Sequence, residues 1–369
     1  MTVKLHLERT KNPSNEFAIE DDYAMDLGLV VGTPSGDSLT GKDRVVIADA
    51  YMTSDMTKKV YLKDLFFSGH PAIVKRSYTE IVFGGGFGGG GTGRRSTVER
   101  LRYDDIVPTI VHTNDLNNGK HYLAGTSDGR QAVFGGGSGS ADLIQKLKFD
   151  DSIPAVQFTN RLSTSKRGLA GAASFGEALF GGGVTDVSAI DKVKFDDSAM
   201  VVMTNGLSVG RHYVAAGSDR NQICFAGGVN SSAGPLSSIE RFRYDDIVPS
   251  YTLSNSLTVS RNRLSGGSTE FEMIFTGDNN SATNAPQFEK TRFDDSVFTA
   301  VFVNTYSQPV HSGTAQSNGF DTLLIAGGNV HSGDTTDTVE SVKFDDSAHA
   351  IHTNLLSESK YGLASAQGY

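Results

Sequence analysis

A three-residue motif, an aromatic residue followed by two aspartates, occurs six times in this chain of 369 residues. Successive copies are 46, 46, 49, 49 and 51 residues apart. The copies are Tyr103-Asp104-Asp105, Phe149-Asp150-Asp151, Phe195-Asp196-Asp197, Tyr244-Asp245-Asp246, Phe293-Asp294-Asp295 and Phe344-Asp345-Asp346. A period of this length predicts one structural unit repeated along the chain, since each unit needs its neighbours to bury its apolar side chains.

Three further series of residues keep the same phase. An apolar anchor precedes a glycine-rich step at Phe83, Phe134, Phe180, Phe225, Phe275 and Ile325. A basic residue stands 13 or 14 positions before the anchor, at Lys120, Arg167, Arg211, Arg261 and His311, with Lys360 next in phase. An asparagine stands six or seven positions before the basic residue, at Asn114, Asn160, Asn205, Asn255, Asn304 and Asn354. Four series in one phase indicate a repeat and not coincidence.

Each unit resolves into four short strands, which in one unit are residues 167–174, 177–180, 189–195 and 200–203. Turn residues separate the four strands, and no window shows a helical apolar period. Units of this kind predict an all-β fold, a single closed β-propeller. We expect the small residues of the first strand to line the centre and the apolar anchor of the second strand to pack between units.

The sequence of one unit carries a resemblance to known repeats. It reads Leu179-Phe180-Gly181-Gly182-Gly183, then Phe195-Asp196-Asp197, then Leu207-Ser208-Val209-Gly210-Arg211. This pattern resembles kelch-type propellers, and it is more similar to the kelch-like repeats of tail-fibre and other virion proteins of marine tailed bacteriophages. The resemblance covers about residues 80–369 and implies kelch-like four-stranded blades. The chain departs from cellular kelch repeats because it has no tryptophan.

The number of units depends on residues 28–77. Residues 60–65 align with residues 111–116 at an offset of 51, which indicates a degenerate seventh unit. We therefore predict seven blades in residues 26–369, with residues 1–25 as an N-terminal arm. The C-terminal strand, residues 358–369, would then complete the first blade. Six blades are the alternative, in which the C-terminal strand pairs with the strand at Phe83.

Strand order predicts where ligands bind. It places the basic and asparagine series at one end of the sheets, near the mouth of a central channel, and the aspartate pairs at the other end. Loops after the glycines vary in length and are rich in Asn, Ser, Thr and Gly, which suits recognition of a glycan or a protein surface. The predicted ligand-binding residues are Arg94, Arg95, Arg211, Arg261, Asn279, Asn280 and His331. Two alternatives stay open: the basic series binds carbonyl groups of the crossovers, and the loops are only tolerated insertions.

The aspartate pairs suggest either calcium ligands or turn-forming residues, and the turn is favoured because each pair offers only two side chains. We predict no metal and no cofactor. Cys224 is the single cysteine, which excludes an intrachain disulfide and a thiolate zinc site. The chain lacks the G-x-S-x-G, H-E-x-x-H and P-loop motifs and the tryptophan-containing boxes of sialidases, so we predict no catalytic residues and no enzyme.

Composition and the resemblance together set the expected function. A net charge of −9 and a pI near 5.5 argue against a nucleic-acid partner. No window of 18 apolar residues predicts a membrane span, and the start lacks a signal-peptide pattern. We expect a non-enzymatic phage virion protein, a tail fibre or exposed appendage made in the host cytoplasm. Its partners would be other virion proteins and a host-surface glycan or protein. A cellular kelch-type interaction module and a glycan-active propeller enzyme are the alternatives.

Overall fold

The computed structural model describes residues 78–89, 93–139, 141–174, 176–219, 221–277, 287–307, 310–330 and 334–368. The regular structure in these ranges is β-strand, without an α-helix, which confirms the predicted all-β class. The chain divides into residues 1–77 and residues 78–369. The predicted arm and the predicted seventh unit therefore lie outside the described residues.

Six antiparallel sheets, called A to F, follow one another along the chain; sheets A to E hold four strands each, and sheet F holds the same four and a fifth, short one. In the order first to fourth strand, sheet A has Ala364–Gly368, Glu80–Gly84, Val98–Arg102 and Ile110–Val111; sheet B has Leu123–Ser127, Gln131–Gly136, Ile144–Lys148 and Val156–Gln157; sheet C has Ala170–Ala173, Glu177–Gly181, Ile190–Lys194 and Met200–Val202. Sheet D has Ala215–Ser218, Gln222–Ala226, Ile239–Arg243 and Tyr251–Thr252; sheet E has Ser265–Ser268, Glu272–Thr276, Gln287–Arg292 and Ala300–Thr305; sheet F has Thr314–Ser317, Thr322–Val330, Thr335–Lys343 and His349–Ile351.

Short ribbons supplement these sheets. Val310–His311 adds a further short strand to sheet F, Phe87–Gly88 pairs with Gly93–Arg94 and with Lys360–Tyr361, and Val229–Asn230 pairs with Gly234–Pro235. Through Lys360–Tyr361, the ribbon of Phe87–Gly88 pairs with the segment just before the C-terminal strand.

Sheet A takes its first strand from the far end of the chain. Ala364–Gly368 pairs with Glu80–Gly84, so that Glu80 lies opposite Gly368. This is the pairing that the six-unit alternative requires, and it corrects the expectation that residues 358–369 complete a unit within residues 26–77. The other five sheets receive their first strand from the segment just before their second strand. Among the described strands, the C-terminal strand alone covers this edge of Glu80–Gly84. Without it, the backbone donors and acceptors along the edge would be unpaired.

The six first strands contact one another in a closed circuit, from A through F and back to A. Serine side chains add hydrogen bonds between neighbouring first strands. Ser218 Oγ donates to Ala173 O at 2.9 Å, and Ser365 Oγ of sheet A donates to Ala315 O of sheet F at 3.1 Å. Small residues are needed here, since a Cβ added to Gly125 would come within 2.5 Å of Ser365 O.

An apolar cluster fills the space between each sheet and the next. In three of these spaces a phenylalanine of one second strand lies against a glycine of the preceding second strand. A Cβ on Gly84 would come within 2.9 Å of the Phe134 ring, and a Cβ on Gly181 within 2.6 Å of the Phe225 ring. This packing confirms that the apolar anchors pack between units and that their glycines allow close approach.

Candidate ligand-binding site

Aspartates of the repeated motif join each sheet to the one before it. Asp151 Oδ2 accepts hydrogen bonds from the Thr113 amide at 2.6 Å and from Thr113 Oγ1 at 2.8 Å, while Asn114 Nδ2 donates to Asp151 O at 2.8 Å. Six such joints occur: Thr113-Asn114 with Asp151, Thr159-Asn160 with Asp197, Thr204-Asn205 with Asp246, Ser254-Asn255 with Asp295, Val303-Asn304 with Asp346 and Thr353-Asn354 with Asp105. The last joint links sheet F to sheet A.

The first aspartate of each pair forms the turn itself. Asp150 Oδ1 accepts from the Ser152 amide at 3.1 Å, and Asp196 Oδ1 accepts from the Ser198 amide at 2.9 Å. The turn interpretation is confirmed for these residues. The predicted separation of the asparagine and aspartate series was wrong, because the asparagines bind the aspartate turns of the next sheet. Because each sheet twists, its fourth strand is rotated relative to its first strand, and the end of the fourth strand reaches the neighbouring sheet.

Buried ion pairs occupy the interior near the start of four first strands. The pairs are Lys360–Glu99, Lys166–Asp191, Arg211–Glu240 and Arg261–Glu289, and all eight side chains are at most 3% exposed. Each carboxylate also accepts a hydrogen bond from a backbone amide. In the same order, the donors are Ser357, Ser163, Ser208 and Thr258. These contacts fasten the crossover segment that leads into each first strand.

Sheets B and F replace one partner of this pair. In sheet B the neutral Gln145 stands at the position of the acid, and Lys120 Nζ donates to Gly136 O at 3.0 Å. Burial lowers the pKa of Lys120 to about 8, although Asp142 partly opposes the shift. In sheet F the buried Val310 stands at the position of the cation, and Glu340 Oε2 instead lies 2.7 Å from His349 Nε2.

The burial of Arg211 and Arg261 corrects their prediction as ligand-binding residues, since neither guanidinium reaches the surface. Arg211 Nη1 donates to Gly227 O at 3.2 Å, and Arg261 Nη1 donates to Gly277 O at 2.9 Å. Both guanidinium groups thus bind backbone carbonyls, as the alternative expected, but these carbonyls follow the second strand of the same sheet and do not belong to a crossover of the next one. Arg167 was assigned to the wrong series, because Lys166 fills the buried position and Arg167 is exposed.

A ring of backbone hydrogen bonds links the six crossovers two residues after the buried position. This backbone ring consists of Tyr122, Gly168, Tyr213, Arg263, Ser312 and Gly362. The amide of each member donates a hydrogen bond to the carbonyl of the preceding member. The exception is sheet E, where the Leu264 amide, and not that of Arg263, donates to Tyr213 O. The bond from the Tyr122 amide to Gly362 O, 2.6 Å long, closes the ring. The segments that follow the ring are the first strands, so the ring marks one end of the closed circuit.

All six members have left-handed backbone conformations, with φ between 54° and 67°. Glycine adopts this conformation freely, but it costs other residues about 1–2 kcal/mol. The sequence nevertheless places Tyr122, Tyr213, Arg263 and Ser312 there. Two glycines make room for the tyrosines: the Tyr213 ring lies over Gly168, where an added Cβ would approach it to 2.9 Å, and the Tyr122 ring lies over Gly362.

Aromatic side chains gather on this ring. The centroids of Tyr122 and Tyr213 are 5.1 Å apart, and Tyr361 lies 5.8 Å from Tyr122. His121 lies between Tyr122, at 4.7 Å, and Phe87, at 5.1 Å. All five side chains are half-buried, so the surface that they form is accessible in part.

Three arginines surround the aromatic side chains. Arg94 and Arg167 are exposed, and the half-buried Arg263 places its Cζ 5.7 Å from the Tyr213 ring centroid. Within the part of the chain that the structure describes, no ion pair joins these three to a carboxylate, whereas the adjacent Arg95 binds Glu358 at 2.8 Å. We call this group the aromatic–arginine cluster: Phe87, Arg94, His121, Tyr122, Arg167, Tyr213, Arg263 and Tyr361.

The surroundings shift two pKa values in the cluster. Burial, helped by the charges of Arg94 and Arg167, lowers the pKa of His121 to about 4, so that this imidazole is neutral at pH 7. Burial raises the pKa of Tyr122 to about 12. A carboxylate lies at the edge of the cluster, where Asp186 Oδ1 is 3.2 Å from Nδ1 of His212, whose ring packs on Tyr213. The cluster thus presents neutral rings and positive guanidinium groups.

The structure brings Arg94 into this cluster and Arg95 beside it. Asn279, Asn280 and His331 lie outside the described residues. Sequence reasoning missed the ring tyrosines and Arg263, although a signal was present: these positions differ in residue type from unit to unit while the buried position before them stays basic in five of six units. Positions that break the repeat thus occur in the backbone ring as well as in the long loops.

Comparison with known proteins adds no relative: no protein-family model matches the chain, and no curated protein matches it.

In the described ranges no group of three or more His, Cys, Asp or Glu side chains is arranged to hold a metal ion. None of the described segments forms a helix with the length and hydrophobicity to cross a membrane. Burial raises the pKa of the Cys224 thiol well above its usual value.

Proposed function

We propose that the six sheets are the blades of one closed, six-bladed β-propeller of kelch-like units. Three observations support the closure: the circuit of contacts among the first strands, the backbone ring and the six Asp–Asn joints. Each of the three returns from sheet F to sheet A. A closed ring of blades leaves only short, protected strand edges, which suits a rigid scaffold for a binding surface.

We further propose that the protein is a non-enzymatic virion protein of a tailed bacteriophage, a tail fibre or exposed appendage, in which the propeller recognises a ligand. The aromatic–arginine cluster is the observation that carries recognition. Tyrosine and arginine in a strained backbone conformation suggest that these side chains serve a purpose other than stability. The virion assignment is supported by the resemblance of the repeats to those of phage virion proteins.

A binding role, and not catalysis, fits the use of the acidic side chains. Asp191, Glu240 and Glu289 are engaged in buried ion pairs, and the second aspartates of the motif accept several hydrogen bonds each. Carboxylates held in this way stabilise the crossovers and are poorly placed to transfer protons to a ligand.

Other virion proteins are the proposed partners of the outer surface. The outer strands and the turns before them expose apolar side chains: Ile106 is 76% exposed, Phe298 86% and Val303 91%. Exposed apolar side chains at several blades offer contact area to neighbouring proteins in an assembled particle.

Electron microscopy of phage particles with gold-labelled antibodies against this chain tests the proposal. We expect the label on tail fibres or on another external appendage. Label confined to the cytoplasm of cells, with unlabelled particles, would favour a cellular interaction module and contradict the virion assignment.

A further inference from the structure

We infer that the aromatic–arginine cluster binds an acidic sugar, a saccharide unit that carries a carboxylate or a sulfate. The inference rests on the proposed role in recognition and names the ligand class of that site. It concerns the backbone ring and its surroundings; of the ligand-binding residues predicted from the sequence, Arg94 belongs to the cluster.

The charge of the ligand follows from the arginines. Arg94 lies opposite Phe87 in their ribbon, Arg167 directly precedes a member of the backbone ring, and Arg263 is itself a member. In the described residues none of the three forms an ion pair. The chain as a whole is acidic, with a net charge of −9, so three arginines without carboxylate partners form a local positive region. A planar guanidinium binds a carboxylate or a sulfate through two parallel hydrogen bonds.

The aromatic side chains favour a sugar as the bearer of that charge. Tyr122, Tyr213 and Tyr361 form an uneven surface with centroid separations of 5.1 and 5.8 Å and ring planes inclined to one another. The electron-rich faces of such rings attract the C–H groups of a sugar, and the tyrosine hydroxyls provide hydrogen bonds to its hydroxyls. The Tyr213 ring packs on Gly168 and the Tyr122 ring on Gly362, and a tyrosine has only two side-chain torsions, so little entropy is lost on binding.

Single-stranded nucleic acid also combines negative charge with stacking rings, but the geometry favours it less. Binding of a strand requires a basic groove that follows several phosphates. Here three arginines lie at one aromatic surface, and the chain as a whole carries a net charge of −9. The cluster is sized for one or two sugar units, such as the end or a side branch of a polysaccharide.

Isothermal titration calorimetry on the full chain tests the inference with four probes of equal length: a uronate oligosaccharide, a sulfated galactan oligosaccharide, a neutral galactan oligosaccharide and an oligothymidylate. We expect one of the acidic oligosaccharides to bind at least tenfold more tightly than the neutral one, with an affinity that falls as salt is added. The two acidic probes distinguish carboxylate from sulfate. Equal binding of acidic and neutral probes, preference for the oligothymidylate, or binding of none of them would overturn the inference.

Variants localise the binding. Arg167→Ala should reduce the affinity for the acidic probe about tenfold or more while the neutral probe is unaffected, and Tyr213→Ala should weaken both. Arg161→Ala is the matched control, because Arg161 is an exposed arginine that forms an ion pair with Asp142 and is not part of the cluster. Unchanged affinity in Arg167→Ala, at an unchanged melting temperature, would contradict the site. This outcome is independent of the particle labelling, so failure of the ligand class and failure of the virion role remain distinguishable.

Discussion

Asn354 donates its side-chain amide to the carbonyl oxygen of Asp105 at 2.8 Å, across 249 residues of sequence. The same contact joins each earlier pair of neighbouring sheets at a separation of 37 to 42 residues. The last and the first sheet are therefore joined by the same residue types and the same atoms as any other pair. In the proposed propeller, this joint adds to the C-terminal strand as a link between the last and the first sheet.

The joints predict acid sensitivity. Burial opposes the shift, but hydrogen bonds from Asn and from Thr or Ser lower the pKa of Asp105, Asp197, Asp246 and Asp295, and that of Asp151 to about 2. Because these values lie below that of the unfolded chain, about 3.9 for Asp, the stabilisation is complete above pH 4. It is lost as the pH falls towards 2.

Urea unfolding at a series of pH values measures this effect. The midpoint should fall steadily between pH 4 and pH 2. Asp151→Asn keeps an acceptor oxygen but cannot take up a proton, so its midpoint should fall less steeply with pH. An identical slope in the variant and the parent would show that Asp151 does not contribute.

Substitution of the buried Leu363 tests the packing of sheet F against sheet A. Leu363 is 4% exposed and lies in a cluster with Phe83 of sheet A and Leu324 of sheet F. Leu363→Ala should lower the free energy of unfolding by about 2–5 kcal/mol, because it removes a buried side chain and leaves a cavity. Leu355, which is 39% exposed, is the control. Leu355→Ala should cost only about 0.5 kcal/mol, and equal losses for the two variants would contradict the closure.

The buried ion pairs are predicted to affect stability. Arg211→Met leaves Glu240 buried without its cation and should cost about 3–5 kcal/mol in urea unfolding. Arg161→Met removes an exposed ion pair with Asp142 and should cost at most about 1 kcal/mol. A stable Arg211→Met protein with weakened ligand binding would restore the original prediction that Arg211 binds the ligand.

The backbone ring predicts opposite effects at two of its members. Arg263→Gly relieves about 1–2 kcal/mol of backbone strain and offsets the greater freedom of glycine in the unfolded chain, so the melting temperature should not fall. Gly168→Ala, with a φ of 67° and the Tyr213 ring in the way, should lower it clearly. If Arg263→Gly is the more destabilising of the two, the arginine is present for stability and not for binding.

Much of the fold could be predicted from the period. The four strands per unit, the small residues of the first strands and the glycines beneath Phe134, Phe180 and Phe225 follow from spacing and residue size. The contact of Asn114 with Asp151 could not be predicted, because it depends on how far each sheet twists towards the next. Lys166 and Arg167 are adjacent basic residues, and spacing alone could not tell which of them is buried. The positive φ of Tyr122 and Arg263 is indicated only by glycine at two equivalent positions, Gly168 and Gly362, since neither Tyr nor Arg favours that conformation.

Distances between equivalent turns test the closed ring of six units most directly. Each turn exposes the residue after its aspartate pair, so spin labels attached to cysteines at Ile106 and Ser347 report on sheets A and F, while labels at Ser152 and Ser198 report on the consecutive sheets B and C. Labels at Ser152 and Ile247 give the distance between sheets B and D, which have one sheet between them. Cys224 is fully buried and should not take a label. Double electron–electron resonance should give the same distance for 106–347 as for 152–198, and a longer one for 152–247. A 106–347 distance that matches or exceeds the 152–247 distance would mean that a further unit, or a gap, lies between the last sheet and the first.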